Sequence, residues 1–232
     1  MSRSARMRGR GRWITAALLA GLAPACAGNP QPAASGAADQ WEDDIAAFEA
    51  ADRASMPAPG GVVFVGSSSI RLWNTLAADF PGVAVVNRGF GGSEMADSAR
   101  YAMRVVVPHA PRMVVLYTGE NDLNRGLTPE QVSADFARFY DIVHTAVPAA
   151  RIVVIGLKPS LLRWKLRDAM QQTNRLIRAR CESNAGCVYV DPWPSMIGKD
   201  GTPRPELFVS DGLHMTPEGY KAWTQMLRPH LK

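Results

Sequence analysis

Val62-Val63-Phe64-Val65-Gly66-Ser67-Ser68-Ser69 joins an apolar run to a polar turn. The run is β-branched and aromatic, and the turn-forming residues 59–61 precede it, so we predict a buried strand. Apolar residues then recur at roughly helical spacing from Ile70 to Leu76, which predicts a helix that begins at the serines. The three serines therefore lie where a strand turns into a helix.

A serine in that position is well placed for chemistry. The carboxyl ends of parallel strands form the ligand crevice of an open α/β sheet, and the free N–H groups at a helix start can meet a developing negative charge. The alternative is that the serines only cap the helix. The sequence downstream has to decide between the two.

Strands and helices alternate along the rest of the chain. Four further apolar runs, at 83–87, 113–117, 151–155 and 187–190, predict strands. Helices are predicted at 39–54, from the serines to about 80, and at 93–107, 128–147 and 162–180, with a last one from Thr216. Because the strands are continuous apolar runs, we predict a three-layer α/β/α fold. It would be a flavodoxin-like, five-stranded parallel sheet with helices on both faces.

Of the four histidines in the chain, one has the surroundings of a catalytic base. His109 is expected at the edge of the sheet opposite the carboxyl ends of the strands. His144 and His230 lie near the carboxyl ends of helices, where a protonated histidine interacts favourably with the helix dipole. His214 follows a glycine-containing loop, and Asp211 precedes it by three residues, so this aspartate can turn back to hold the ring. The alternative is a helix-entry loop with an incidental acid.

Four blocks of sequence follow one another in order over about residues 62–231. They are Gly66-Ser67-Ser68 with Trp73 beyond it, Asn87-Arg88-Gly89-Phe90-Gly91-Gly92, Gly119-Glu120-Asn121-Asp122 and Asp211-Gly212-Leu213-His214. Together these blocks resemble the SGNH hydrolase (GDSL esterase/lipase) family. Each block alone is weak, but four at the family order and spacing make a specific signal. One departure is Ser67, which stands where the family has an aspartate that is not its triad acid.

The resemblance implies a serine esterase that needs neither a metal nor an organic cofactor. Ser68 would be the nucleophile, His214 its base and Asp211 the group that orients the base. The oxyanion hole would consist of the backbone N–H groups of Ser68 and Gly92 and the side-chain amide of Asn121.

Other polar residues follow the strands at the same edge of the sheet. We expect Arg88 and Asp122 to serve in loop hydrogen bonds and ion pairs, and Asp191 to form a turn or a helix cap.

The formal net charge of +5 comes from the first 25 residues, which hold five arginines and no acid. The remaining 21 basic residues balance 21 acidic ones, so the charge gives no reason to expect a nucleic-acid partner. The arginines are followed by an apolar run at 13–22 and then by small residues. The apolar run is too short to span a bilayer. This order is typical of an export signal, so we predict export of the protein to the bacterial cell envelope, in the periplasm or anchored by lipid.

The end of this signal leaves two processing routes open. Leu22-Ala23-Pro24-Ala25-Cys26 resembles a bacterial lipobox, which would make Cys26 a lipidated N-terminus attached to the membrane. Ordinary cleavage after Ala25 or Ala27 is the alternative. We thus predict an export signal at 1–25, a flexible tether rich in Ala, Pro and Gly at 26–38, and the hydrolase domain at 39–232.

Two more cysteines, Cys181 and Cys187, flank a short loop. In an oxidising compartment we expect a disulfide between them, and two free thiols are the alternative.

The expected function is hydrolysis of short acyl esters, such as acetyl esters, on small molecules or glycans. A lipase, lysophospholipase or thioesterase of the same fold is one alternative, and a non-catalytic envelope-binding lipoprotein is another. A flavodoxin-like nucleotide binder is disfavoured because the chain lacks G-x-x-x-x-G-K-[ST] and a strand-linked G-x-G-x-x-G. The α/β-hydrolase variant is disfavoured because G-x-S-x-G is absent.

Overall fold

A computed structural model describes residues 40–231, which contain a five-stranded, all-parallel sheet. The sheet order is β2-β1-β3-β4-β5, the flavodoxin-like order, so the predicted fold class is confirmed. The predicted export signal, the tether and Cys26 lie outside the described residues. The strands are β1 (Val62–Gly66), β2 (Val85–Gly89), β3 (Met113–Tyr117), β4 (Arg151–Ile155) and β5 (Cys187–Val190).

The α-helices cover both faces of the sheet. Helices α1, α4, α6 and α7 pack on one face, and α2, α3, α8 and α9 pack on the other. Within residues 40–231, no helix is long and apolar enough to span a bilayer. In chain order the helices are α1 (Glu42–Ala54), α2 (Ser68–Arg71), α3 (Leu76–Asp79), α4 (Met95–Val105), α5 (Glu120–Arg125), α6 (Pro129–Ala146), α7 (Arg167–Glu182), α8 (Trp193–Met196) and α9 (Pro217–Leu227).

The strand residues are buried on both sides, which explains their continuous apolar character. In β1, Val63 and Val65 belong to the core under α4 and α6, whereas Val62 and Phe64 belong to the core under α9. Side chains alternate between the two faces of a strand, so a sheet covered on both faces needs apolar residues at every position. Polar residues are therefore confined to the turns beyond the strands, and the turns at the carboxyl ends of the strands border the crevice.

Local capping fixes the start of α6, which lies within the helix predicted at 128–147. The Thr128 hydroxyl accepts a hydrogen bond from the Gln131 backbone N–H, and the Gln131 side chain accepts from the Thr128 N–H. This reciprocal capping box satisfies two N–H groups that the helix leaves free, and Pro129 occupies the first helical position.

The single helix predicted from the serines to about residue 80 is wrong, because the structure divides it into α2 and α3. Trp73 lies between them and is almost fully buried against Phe64, Phe80 and Trp223. Its indole N–H also donates to Asp79 at 2.6 Å. Packing of this aromatic ring into the core outweighs the local helical pattern, since burying one large aromatic side chain gains more than one helical turn does.

A disulfide joins the end of α7 to the start of β5, between Cys181 and Cys187. We expect Cys181→Ala with Cys187→Ala to lower the free energy of unfolding by about 2 kcal/mol, because the loop that the bridge closes is short. Urea unfolding of the variant and of the wild type, with and without reductant, measures this difference. Alkylation of both cysteines in exported, denatured protein that was never reduced would show that the bridge is absent.

Candidate active site

Gly66 brings the end of β1 close to β3 and so fixes the place of the serine turn. Its φ is +142°, and an added Cβ would lie 1.9 Å from the Tyr117 carbonyl oxygen, which a side chain cannot tolerate. Ser67 donates its N–H to that same carbonyl at 3.0 Å. Ser68 is then the first residue of α2, where a backbone N–H has no acceptor within the helix, and its side chain is half-buried.

The structure brings Ser68, His214 and Asp211 into one hydrogen-bonded chain. The Ser68 Oγ lies 2.9 Å from His214 Nε2, and His214 Nδ1 lies 2.6 Å from Asp211 Oδ2. An ionised carboxylate can only accept, so Nδ1 carries a proton and donates it to Asp211. In the neutral ring Nε2 is then unprotonated and accepts from the Ser68 hydroxyl. This is the tautomer that a general base acting on serine requires.

The loop before α9 holds the aspartate rigidly. The other carboxylate oxygen, Oδ1, accepts the backbone N–H groups of Leu213 and His214 at 2.8 and 2.9 Å. Partial burial alone would raise the pKa of Asp211, but the bonds from the His214 ring and the two N–H groups outweigh burial and lower the pKa to about 2. The carboxylate therefore stays ionised throughout the pH range in which a histidine can act as a base.

Asn121 reaches the same place from the second position of α5. Its Nδ2 donates to the Ser67 Oγ and to the Ser93 carbonyl, both at 2.9 Å, and its Oδ1 accepts from Arg163 Nη2 at 2.8 Å. A carbonyl can only accept and a guanidinium can only donate, so these two partners fix which end of the amide faces the serines. The amide nitrogen faces them.

Gly92 lies in the turn after β2, next to Ser93. The Ser93 carbonyl accepts from Asn121 and from the Thr118 hydroxyl, at 2.9 and 3.3 Å, so the turns after β2 and β3 are bonded together. The turns after the first three strands thus meet at the carboxyl edge of the sheet, as parallel strands require. The bond between Ser68 and His214 shows that the Asp211–His214 loop reaches the same edge.

The cleft beside Ser68 is narrow, with a volume of about 10 Å³. Its walls come from the turns after β1 and β3, from Arg163 and from Leu213. A wider concavity of about 650 Å³ lies elsewhere, between α4 and α6, and no serine, histidine or cysteine lines it. We place the chemistry at the narrow cleft because Ser68, the serine that is hydrogen-bonded to His214, lines it.

A buried charged cluster lies under this cleft. The Lys158 side chain is 0% exposed, and its Nζ donates to Glu120 Oε2 at 2.6 Å and to the Tyr117 hydroxyl at 3.2 Å. Tyr117 also donates to the same carboxylate oxygen at 2.5 Å. Burial lowers the pKa of Lys158 and raises that of Tyr117 well above its usual value, while the Glu120 carboxylate favours the charged amine.

Two polar residues that lie in the four blocks have structural contacts, as expected. Arg88 forms an ion pair with Asp52 of α1 and lies over the Phe48 ring. Asp122 is fully buried and accepts the Met95 N–H at the start of α4 at 3.0 Å. Burial raises the pKa of Asp122 to about 6, although the hydrogen bond from Met95 opposes the rise.

The remaining candidates set aside on sequence also lie in structural positions. His109 is buried before the amino end of β3, with Nε2 3.3 Å from Asp52. His144 stacks on Tyr140 in the last turn of α6. The Asp191 carboxylate accepts the Trp193 N–H, two residues further on, at 3.0 Å and so forms the turn before α8.

Two residues at the site escaped the sequence analysis. Lys158 and Arg163 both come from the loop after β4, which the predicted helix at 162–180 partly covered. The signal that could have found them is an ionisable residue directly after a buried strand, the same signal that indicated the turns after the first three strands. Across residues 40–231, no group of three or more His, Cys, Asp or Glu side chains could hold a metal ion.

Comparison with known proteins supports the resemblance. The model of the GDSL-like lipase/acylhydrolase family matches residues 60–222. The human platelet-activating factor acetylhydrolase IB subunit alpha1 is 30% identical over 168 residues, which cover 68% of this chain and 70% of that protein.

Solved structures share the fold at lower sequence identity. A GDSL-like lipase from Bacteroides thetaiotaomicron superposes with a TM-score of 0.66 at 21% identity, covering 81% of this chain and 98% of that one. A catalytic mutant of an acetylxylan esterase from Geobacillus stearothermophilus superposes with a TM-score of 0.61 at 17% identity, covering 74% and 94%. The family match over residues 60–222, together with the human relative, shows that this chain belongs to the GDSL-like lipase/acylhydrolase (SGNH hydrolase) family of carboxylic ester hydrolases.

Proposed function

We propose that the protein is a serine esterase that hydrolyses short acyl esters, acetyl esters foremost, on small molecules or glycans. The observation that carries the proposal is the hydrogen-bonded chain from Ser68 through His214 to Asp211, which opens on the cleft that holds the Asn121 amide.

In the first step His214 Nε2 takes the proton of the Ser68 hydroxyl as Oγ attacks the ester carbonyl carbon. The ring then carries a positive charge, which the Asp211 carboxylate stabilises at 2.6 Å. The imidazolium gives its proton to the departing alkoxide, which leaves as the alcohol. In the second half of the cycle His214 removes a proton from water, and the resulting hydroxide attacks the carbonyl carbon of the acyl-enzyme. The bond between that carbon and Ser68 Oγ then breaks, the carboxylic acid leaves, and His214 returns its proton to the Ser68 oxygen.

The tetrahedral intermediate places a negative charge on the former carbonyl oxygen. We assign its stabilisation to the N–H groups of Ser68 and Gly92 and to Asn121 Nδ2. Both hydrogens of that amide are engaged in the free protein, one of them by the Ser67 hydroxyl. An oxyanion is a stronger acceptor than a hydroxyl, so it would take this hydrogen, and Ser67 would serve as the resting-state acceptor.

Two observations favour a short acyl group. The cleft beside Ser68 has room for about one water-sized group, which suits an acetyl methyl better than a long chain. The relatives also include proteins described as an acetylhydrolase and an acetylxylan esterase.

Hydrolysis of p-nitrophenyl esters of increasing chain length tests the proposal, with Ser68→Ala as the control for background. We expect kcat/KM to be highest for acetate and to fall as the chain lengthens. A rise towards long chains would favour the lipase alternative, and preference for acyl thioesters would favour a thioesterase. No hydrolysis of any ester would favour the non-catalytic envelope-binding protein.

We also propose that the mature protein lacks residues 1–25 and begins at a lipid-modified Cys26 in the bacterial cell envelope. The arginines, apolar run and lipobox-like segment support this. We expect mass spectrometry of protein from its native membranes to find a lipid-modified Cys26 as the first residue. An unmodified N-terminus at Gly28 would exclude the lipid anchor and leave export standing.

A further inference from the structure

The loop between β4 and α7, residues 156–166, holds two consecutive residues of α5. Lys158, near its start, bonds to Glu120, and Arg163, near its end, bonds to Asn121. Lys158 is fully buried, and burying a charged amine costs free energy unless the amine forms an ion pair. The Lys158–Glu120 pair therefore fixes the loop firmly on the start of α5, next to the amide of Asn121.

Arg163 is the loop residue that contacts the amide itself. Its Nη2 donates to Asn121 Oδ1 at 2.8 Å, while the Ser93 carbonyl accepts from Asn121 Nδ2 at 2.9 Å. A rotated amide would set its oxygen against the Ser93 carbonyl oxygen and its nitrogen against the guanidinium. Each of these contacts is repulsive, so the two partners together exclude the wrong orientation.

We propose that Arg163 is a positioning residue that holds the Asn121 amide with its N–H groups turned towards the oxyanion. This inference rests on the proposed esterase function. A cation that bonds to the amide oxygen also polarises the amide, which makes its N–H groups stronger donors. The effect grows as charge develops on the substrate oxygen, so Arg163 acts on the transition state through Asn121.

The same loop also touches the triad. The Leu162 N–H donates at 2.9 Å to the carbonyl of Gly212, a residue of the loop that runs from Asp211 to His214. One short segment thus contacts both Asn121, which is assigned to the oxyanion hole, and the loop that carries His214. These contacts fix the position of the oxyanion hole relative to the base.

The test compares Arg163→Met with Arg163→Lys and with Arg167→Met as a matched control. Arg167 belongs to the same basic stretch, is half-exposed and lies over the Trp164 ring. With p-nitrophenyl acetate, a neutral substrate, we expect Arg163→Met to lower kcat about tenfold with KM within twofold of the wild type. Arg163→Lys should recover part of kcat, and Arg167→Met should leave kcat unchanged.

A double-mutant cycle separates positioning from direct contact with substrate. If Arg163 acts through the amide, Arg163→Met should have little further effect in an Asn121→Ala background. An equal loss of kcat in both backgrounds, or a loss confined to KM, would overturn the proposal. Melting temperatures identify a variant that fails to fold, in which case the Arg163→Lys cycle decides.

The wild type in the same assay distinguishes this inference from the proposed function. A wild type that hydrolyses no ester overturns both. An active wild type whose kcat is unchanged by Arg163→Met and by Arg163→Lys overturns only the role of Arg163.

Discussion

Replacing Ser68 by alanine is expected to lower kcat for ester hydrolysis by about 10⁴-fold or more, the scale of loss when a catalytic nucleophile is removed. The Ser68 Oγ is the only oxygen bonded to His214 Nε2 among the described residues. Without it His214 has no hydroxyl to activate, and only direct attack by water remains. Steady-state kinetics with p-nitrophenyl acetate measures the loss.

The two neighbouring serines provide matched controls for that variant. Ser67 lies against Asn121, and Ser69 is buried, with its carbonyl accepting from the Tyr220 hydroxyl. Ser67→Ala and Ser69→Ala should both keep much of the activity, because neither hydroxyl contacts the histidine. Loss of activity in Ser67→Ala with retention in Ser68→Ala would move the nucleophile by one residue.

Asn121→Ala should have the second largest effect, a fall in kcat of about 10²–10³-fold. The amide hydrogen bond strengthens as charge develops on the carbonyl oxygen, so its loss is felt in the transition state far more than in the bound substrate. KM should therefore change little. Asn121→Asp should be at least as damaging, because it replaces the donor by a negatively charged acceptor.

A purely structural role for Asn121 predicts a different result. Its bond to the Ser93 carbonyl joins the turns after β2 and β3, and loss of that bond would lower the free energy of unfolding by about 1 kcal/mol. Melting temperature and kcat measured on the same Asn121→Ala preparation separate the two roles. A destabilised variant with wild-type kcat would remove Asn121 from the oxyanion hole.

The sheet could be predicted from sequence because its signal is local. Strands buried on both faces are continuous apolar runs, and β3, β4 and β5 begin and end where those runs do. The second strand, predicted at 83–87, begins and ends two residues later, at Val85–Gly89, where Gly89 pairs with Gly66. Three of the four residue blocks could be placed at one edge because they follow parallel strands, whose carboxyl ends lie together. The Asp211–His214 block follows no strand of the sheet, so this argument only permitted it at that edge.

Features that depend on distant partners could not be predicted. Trp73 divides a helical pattern because its ring packs against Trp223, which lies 150 residues further along the chain. The helix predicted at 162–180 begins only at Arg167, since the residues before it hold Asn121 and the Asp211–His214 loop. Short α5, which presents Asn121, is preceded by Gly119 with φ +120°, a backbone conformation that the sequence shows only to be permitted there.

Covalent labelling with a fluorophosphonate tests the central claim, that Ser68 is a nucleophile activated by His214, most directly. The probe reacts with activated serines, and peptide mapping by mass spectrometry locates the adduct. We expect one adduct, on Ser68, that is lost in His214→Ala while the variant remains folded. An adduct on Ser67 or Ser69, or full labelling of Ser68 in His214→Ala, would contradict the account.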